Sequence, residues 1–182
     1  MENSVLKVEA KSMKFHIIRE LQEVESLMDE LPDREVVKML SSGGFSSIGI
    51  IKFVADRTFI KNMHISTLRV GKEHIISLDV MKEQERIGNV EFVIGSLMKQ
   101  DKSEYKYFDV FSGVCEKNEW SYLINNNHSK LILMDTDRGK YVLETSSNLN
   151  NNPKIEHFSF EKSEELYDFY LKMFWWWKNE KR

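Results

Sequence analysis

The sequence predicts one α/β domain spanning residues 1–182, with a mixed, largely parallel sheet and helices on both faces. Three observations carry that expectation. The chain has 182 residues, 41% hydrophobic and 30% charged, which suits a single globular unit with its own core. Between His64 and Ile124, strand-length apolar runs alternate with segments of helical period, the pattern of a parallel sheet covered by helices. Two apolar runs then flank Asp137, Arg138 and Gly139, which supply turn chemistry and predict a hairpin.

Met13 to Ile18 reads as a short strand. Ile18, Leu21, Val24, Met28 and Leu31 recur at helical spacing, and Pro32 with Asp33 ends that helix and opens another. A Gly/Ser loop, Ser41 to Ser47, leads into a helix over Ile48 to Asp56, with Ser46 or Ser47 as its cap. Such a loop can also offer backbone N–H groups to a phosphate, which makes Ser46 a candidate substrate contact.

Strands follow at His64–Val70, Asn89–Ile94 and Trp120–Ile124, with helices at Gly71–Gln84 and Ser103–Asn118 between them. Arg69 ends the first of these strands. Ligands of α/β sheets bind beyond the carboxyl ends of strands, so Arg69 is a second candidate contact. After the hairpin, Ile155 to Phe160 reads as a strand, with Glu156 facing opposite to Ile155 and His157. Ser163 caps a last helix whose stripe is Leu166, Phe169, Tyr170, Met173, Phe174 and Trp177. Trp175 and Trp176 widen the stripe, which fits either a subunit interface or a thick core helix.

Composition narrows the function classes. A formal charge of −3 gives no global basic footprint, so nucleic acid would have to meet a local basic face. The single cysteine, Cys115, leaves no intramolecular disulfide and no zinc cluster, and its setting reads as core packing. The first residues lack an apolar leader and no run approaches a membrane span, so the expectation is a cytoplasmic protein without membrane contact.

The chemistry is concentrated between His128 and Glu156. His128 and Lys130 stand two apart at the start of an apolar run, Leu131 to Met134, so strand alternation points both to one face. The return strand brings Ser146 and Asn148 back beside them. An imidazole, an ammonium, a hydroxyl and a carboxamide around one point suit a phosphate. His128, Lys130 and Asp135, followed by Ser146 and Asn148, resemble the His-x-Lys-x4-Asp and Gly-Ser-x-Asn motif of the phospholipase D superfamily. One position departs, Thr145 standing where that family usually has glycine.

The resemblance implies a phosphodiesterase working without metal or cofactor through a phosphohistidine on His128. It assigns Lys130, Asn148 and Ser146 to the phosphate oxygens, Glu156 to orienting the histidine, and Asp135 to a structural tie facing away. None of the other histidines (His16, His64, His74, His157) is followed two residues on by Lys, so the motif occurs once. A site needing two such histidines then implies a homodimer. The substrate class implied is nucleic acid. A lipid or other small phosphodiester, and a catalytically silent nucleic-acid-binding domain, are the alternatives.

Overall fold

The computed structural model describes residues 11–18, 24, 28–100, 107–151 and 153–179. One eight-stranded sheet runs through them in the order β1-β2-β8-β7-β6-β3-β4-β5. Its strands are β1 (Ser12–Ile18), β2 (Glu35–Ser41), β3 (Ile60–Thr67), β4 (Ile87–Gly95), β5 (Ser121–Asn125), β6 (Leu131–Thr136), β7 (Gly139–Thr145) and β8 (Glu156–Lys162). Helices are α1 (Ser47–Ala55), α2 (Lys72–Glu83), a short α3 (Leu97–Gln100), α4 (Tyr107–Lys117) and α5 (Glu164–Asn179). Among the described residues, no helix is long and apolar enough to cross a membrane.

Alternation along the strands sorts the core into two layers. Ile132 and Met134 of β6 join Ile50, Leu78 and Phe111 of α1, α2 and α4 in one buried cluster. Leu131 and Leu133 turn the other way, to Tyr167 and Phe174 of α5. Helices therefore cover both faces, as expected. Each fully buried side chain of this size stabilises the fold by about 1.5–3 kcal/mol, which pins the register, since a one-residue slip would exchange the two faces.

Two expectations need correction. The segment after Pro32 and Asp33 is strand β2, not a second helix. Pro32-Asp33 imitates a helix start, but Val36 and Val37 are β-branched, buried and paired with Glu161 and Phe160 of β8. The sheet is also less parallel than expected: the β1–β2, β3–β4 and β4–β5 pairs are parallel. The other four pairs are antiparallel, because β6, β7 and β8 return as a meander instead of crossing over. The helix expected from Ile18 to Leu31 lies largely outside the described residues, as do the side chains of Trp175, Trp176 and Trp177. Cys115 is 1% exposed in the core, where burial pushes its thiol up to about 12.

This topology gathers functional loops at one end. The carboxyl ends of β2, β3, β4, β5 and β7 lie beside the amino ends of β6 and β8. At the opposite end, the β6–β7 hairpin closes on Thr136 Oγ1, which donates to Gly139 O at 2.7 Å.

Candidate active site

His128 and Lys130 lie in the extended approach to β6, just outside the strand proper. The expected alternation nevertheless holds there. Ser129, itself exposed, hydrogen-bonds Ser66 of β3, and its Oγ donates to Asn127 Oδ1 at 2.8 Å. His128 and Lys130 turn the other way and meet: Lys130 Nζ lies 3.0 Å from His128 Nδ1 and donates to His128 O at 2.6 Å. His128 is exposed and Lys130 half-buried.

Asn127 holds this loop in place. Its buried Nδ2 donates to Ser66 Oγ at 2.9 Å and to Val93 O at 2.9 Å, tying the loop to β3 and β4. Its Oδ1 accepts from Ser129 N at 3.0 Å. Each such bond contributes about 0.5–1.5 kcal/mol, and a partner left unpaired would cost more. The loop that presents His128 is thus fastened to the middle of the sheet.

The return strand reaches the same end. Thr145 N donates to Lys130 O at 3.2 Å, and Ser146 follows, its N donating to His157 O at 3.1 Å. Ser146 Oγ donates to Glu156 through a short hydrogen bond and accepts from His157 N at 3.1 Å. Glu156 is buried while His157 is exposed, the opposition expected along β8. The backbone at Thr145 does not take a positive φ, so a β-branched residue stands in the glycine position without strain. Thr145 Oγ1 accepts from Ser147 N at 2.9 Å and shapes the turn that follows.

Electrostatics mark Lys130. Burial lowers its pKa, and the Glu156 carboxylate partly offsets that effect. Lys130 makes no ion pair with any described residue. With contacts to His128 Nδ1 and His128 O, the ammonium has one of its three N–H donors left, and its charge is not neutralised by an ion pair with a described residue. Asn148 Oδ1, an acceptor, is buried without a hydrogen-bond partner among the described residues. Among the described residues, no group of three or more His, Cys, Asp or Glu side chains is placed to hold a metal ion.

The remaining expected residues separate. Asp135 sits at the far end of β6 from His128, opposite Asn62 and Lys140. Arg69 is exposed on the turn after β3, beside a cleft that Asn150 and Asn151 also line. Ser46 is a correction. It is fully buried, its Oγ bonded to His74 Nε2 at 2.6 Å while accepting from Ile48 N at 3.3 Å. It caps α1 and presents nothing to a ligand. Its loop is anchored by Phe45, which packs edge-on against Phe158 with ring centroids 4.9 Å apart. Gly43 takes φ +116 where a Cβ would collide with Pro153 O at 2.6 Å.

Neither a family model nor a curated protein matches the sequence. Solved structures do. Polyphosphate kinase from Porphyromonas gingivalis aligns with a TM-score of 0.59 at 9% identity, over 76% of this chain and 25% of that one. Phosphatidylserine synthase from Haemophilus influenzae Rd KW20 aligns at TM-score 0.48 and 15% identity, over 76% of this chain and 37% of its own. Yeast tyrosyl-DNA phosphodiesterase aligns at 0.42 and 17%, over 68% and 32%. The chain spans a quarter to just over a third of these proteins. The likeness to polyphosphate kinase, the one of these three above a TM-score of 0.5, shows the fold: a mixed α/β fold of the phospholipase D type.

Proposed function

We propose that this phospholipase D-like fold carries a metal-independent phosphodiesterase, acting on nucleic acid through a phosphohistidine at a site shared across a homodimer. The observation that carries the reading is the meeting of Lys130 Nζ with His128 Nδ1 on a loop fastened to the sheet. A cation with no ion pair among the described residues, beside an exposed imidazole, is an arrangement suited to an anionic electrophile.

The contact also suggests how the site switches on. While Lys130 donates to Nδ1, the proton of a neutral imidazole belongs on Nε2. A phosphodiester offers Nζ a charged acceptor and draws it off the ring. Nδ1 can then carry the proton, with Glu156 as the nearby acid in the orienting role, and Nε2 is free to attack phosphorus. The P–O bond to the leaving group breaks as the partner subunit's His128, in its imidazolium form, gives that oxygen a proton. The same partner imidazole next takes a proton from water, the water oxygen attacks phosphorus, and the P–N bond breaks. Lys130 Nζ and Asn148 Nδ2 serve the non-bridging oxygens throughout, and Ser146 joins them when its hydroxyl turns from Glu156. Two histidines are required because one cannot be committed to phosphorus and protonate the departing oxygen at once.

The test is turnover of an aryl phosphodiester, DNA and RNA in EDTA, together with the mass of the active species. The reading expects hydrolysis in EDTA by a species of two-chain mass. Activity that needs added magnesium overturns the metal-independent mechanism, and activity at one-chain mass overturns the shared site.

A further inference from the structure

A second feature lies one loop away from His128. The segment after β7 runs alongside the segment after β3: Leu149 N donates to Thr67 Oγ1 at 3.1 Å, and Gly71 N donates to Leu149 O at 2.8 Å. Asn150 lies five positions on from Thr145, which is bonded to Lys130, so at most about 18 Å of chain joins the two places. Here a cleft of about 360 Å³ opens, bounded by Arg69, Lys72, Tyr107, Asn150 and Asn151. That volume lies toward the small end of ligand cavities, which run about 300–1,000 Å³, and suits one nucleotide rather than a duplex.

We infer that this cleft is a subsite for a neighbouring nucleotide of a single nucleic-acid strand, with Arg69 and Lys72 on its phosphate and Tyr107 and Asn150 on its base. Arg69 and Lys72 are exposed and make no ion pair with any described residue. Glu73, the one carboxylate lining the cleft among the described residues, is turned to Asn151, whose Nδ2 donates to it at 3.2 Å. Burial lowers the pKa of His74, with Glu73 opposing, and its Nε2 is taken by Ser46, so the histidine adds no charge there. Two cations thus outweigh one carboxylate.

The other half of the cleft suits a base. Asn150 Oδ1 is buried without a hydrogen-bond partner among the described residues, an acceptor that the N–H edge of a nucleobase satisfies. Tyr107 at the start of α4 offers an aromatic face, and stacking of a base on such a face is worth about 1–3 kcal/mol. No side chain caps α2 at Gly71, so the first N–H groups of that helix add to the field around the phosphate. Gly71 and Asn150 are packed so closely that a Cβ on the glycine would meet Asn150 Cβ at 3.1 Å, which fixes the carboxamide wall.

This inference rests on the phosphodiesterase reading for its register, and it deepens that reading: the substrate is a chain of phosphodiesters, not a lone one. The test uses the full chain and the Arg69→Gln/Lys72→Gln double variant, with Tyr107→Ala as a second probe. Binding of a labelled phosphorothioate single strand is followed by fluorescence anisotropy over a salt series. The double variant is expected to weaken binding about tenfold and to flatten the salt slope by about one, the signature of a lost phosphate contact. Tyr107→Ala is expected to weaken binding without changing the slope. In turnover, the double variant lowers the ratio of kcat/KM for the strand to that for an aryl diester about tenfold.

Unchanged affinity and slope in the double variant overturns the subsite. Inorganic polyphosphate competing as well as the strand overturns its assignment to nucleic acid. If the native chain hydrolyses nothing while binding still depends on Arg69 and Lys72, the subsite stands and the phosphodiesterase reading falls.

Discussion

At the turn end of the β6–β7 hairpin, cations meet carboxylates. Lys61 reaches Asp137 at 3.1 Å, Lys140 reaches Asp168 at 2.8 Å and Lys162 reaches Asp33 at 2.7 Å. At the open end, Lys130 donates to its own loop and lies against the ring of His128, while Arg69 and Lys72 stand on the neighbouring turn without an ion pair to any described residue. Exposed pairs of the first kind are worth about 0–1 kcal/mol each and hold a local geometry. Cations of the second kind contribute little to the fold. What the difference teaches is that charge at one end is matched within the chain, while at the other end three cations have no ion pair among the described residues.

The strongest way to break that comparison is His128→Ala. Loss of the attacking group is expected to lower turnover of a phosphodiester about 10³-fold or more, with thermal stability changed by less than about 0.5 kcal/mol because the side chain is exposed. Lys130→Ala follows, with kcat down about 10²- to 10³-fold in the same assay. Were Lys130 a packing residue, the variant would lose stability instead.

A pH profile sharpens the point. Burial lowers the Lys130 pKa, so the ammonium is present below that value and lost above it. Activity is therefore expected to fall on the alkaline side below the ordinary lysine range. Lys130→Arg should move that limb to higher pH while retaining part of the rate. An alkaline limb identical in the two proteins would assign it to another group.

The matched end should behave in the opposite way. Gly139→Ala puts a Cβ against Lys162 Cε at 2.6 Å in a residue at φ +121, and is expected to cost about 1 kcal/mol or more of stability by denaturant unfolding. Turnover should change less than twofold. Lys140→Ala, which removes the ion pair to Asp168, is expected to cost no more than about 1 kcal/mol, again with activity kept.

Sequence legibility follows the same division. The hairpin, the two-faced core and the pairing of His128 with Lys130 were readable because each depends on short-range periodicity. Strand β2 was not, since Pro32 and Asp33 give the local signal of a helix start while its partners on β8 lie more than a hundred residues away. The parallel share was overestimated for the same reason: the strand–helix alternation stops after β5, and nothing local to β8 announces that it pairs with β2. At the site, Ser46 looked available because Gly and Ser residues surround it, and its burial came from Phe45 packing on Phe158. Asn127 escaped because its bonds go to Ser66 and Val93, on strands it adjoins only in the folded chain.

The central claim is a covalent bond between His128 and phosphorus, and intact-mass spectrometry after rapid acid-free quenching with an aryl phosphodiester tests it directly. The account predicts a phosphoryl-ester adduct mapping to the peptide that holds His128, formed in EDTA and absent from His128→Ala. Steady turnover with no adduct at any quench time, or an adduct that persists in His128→Ala, would contradict it.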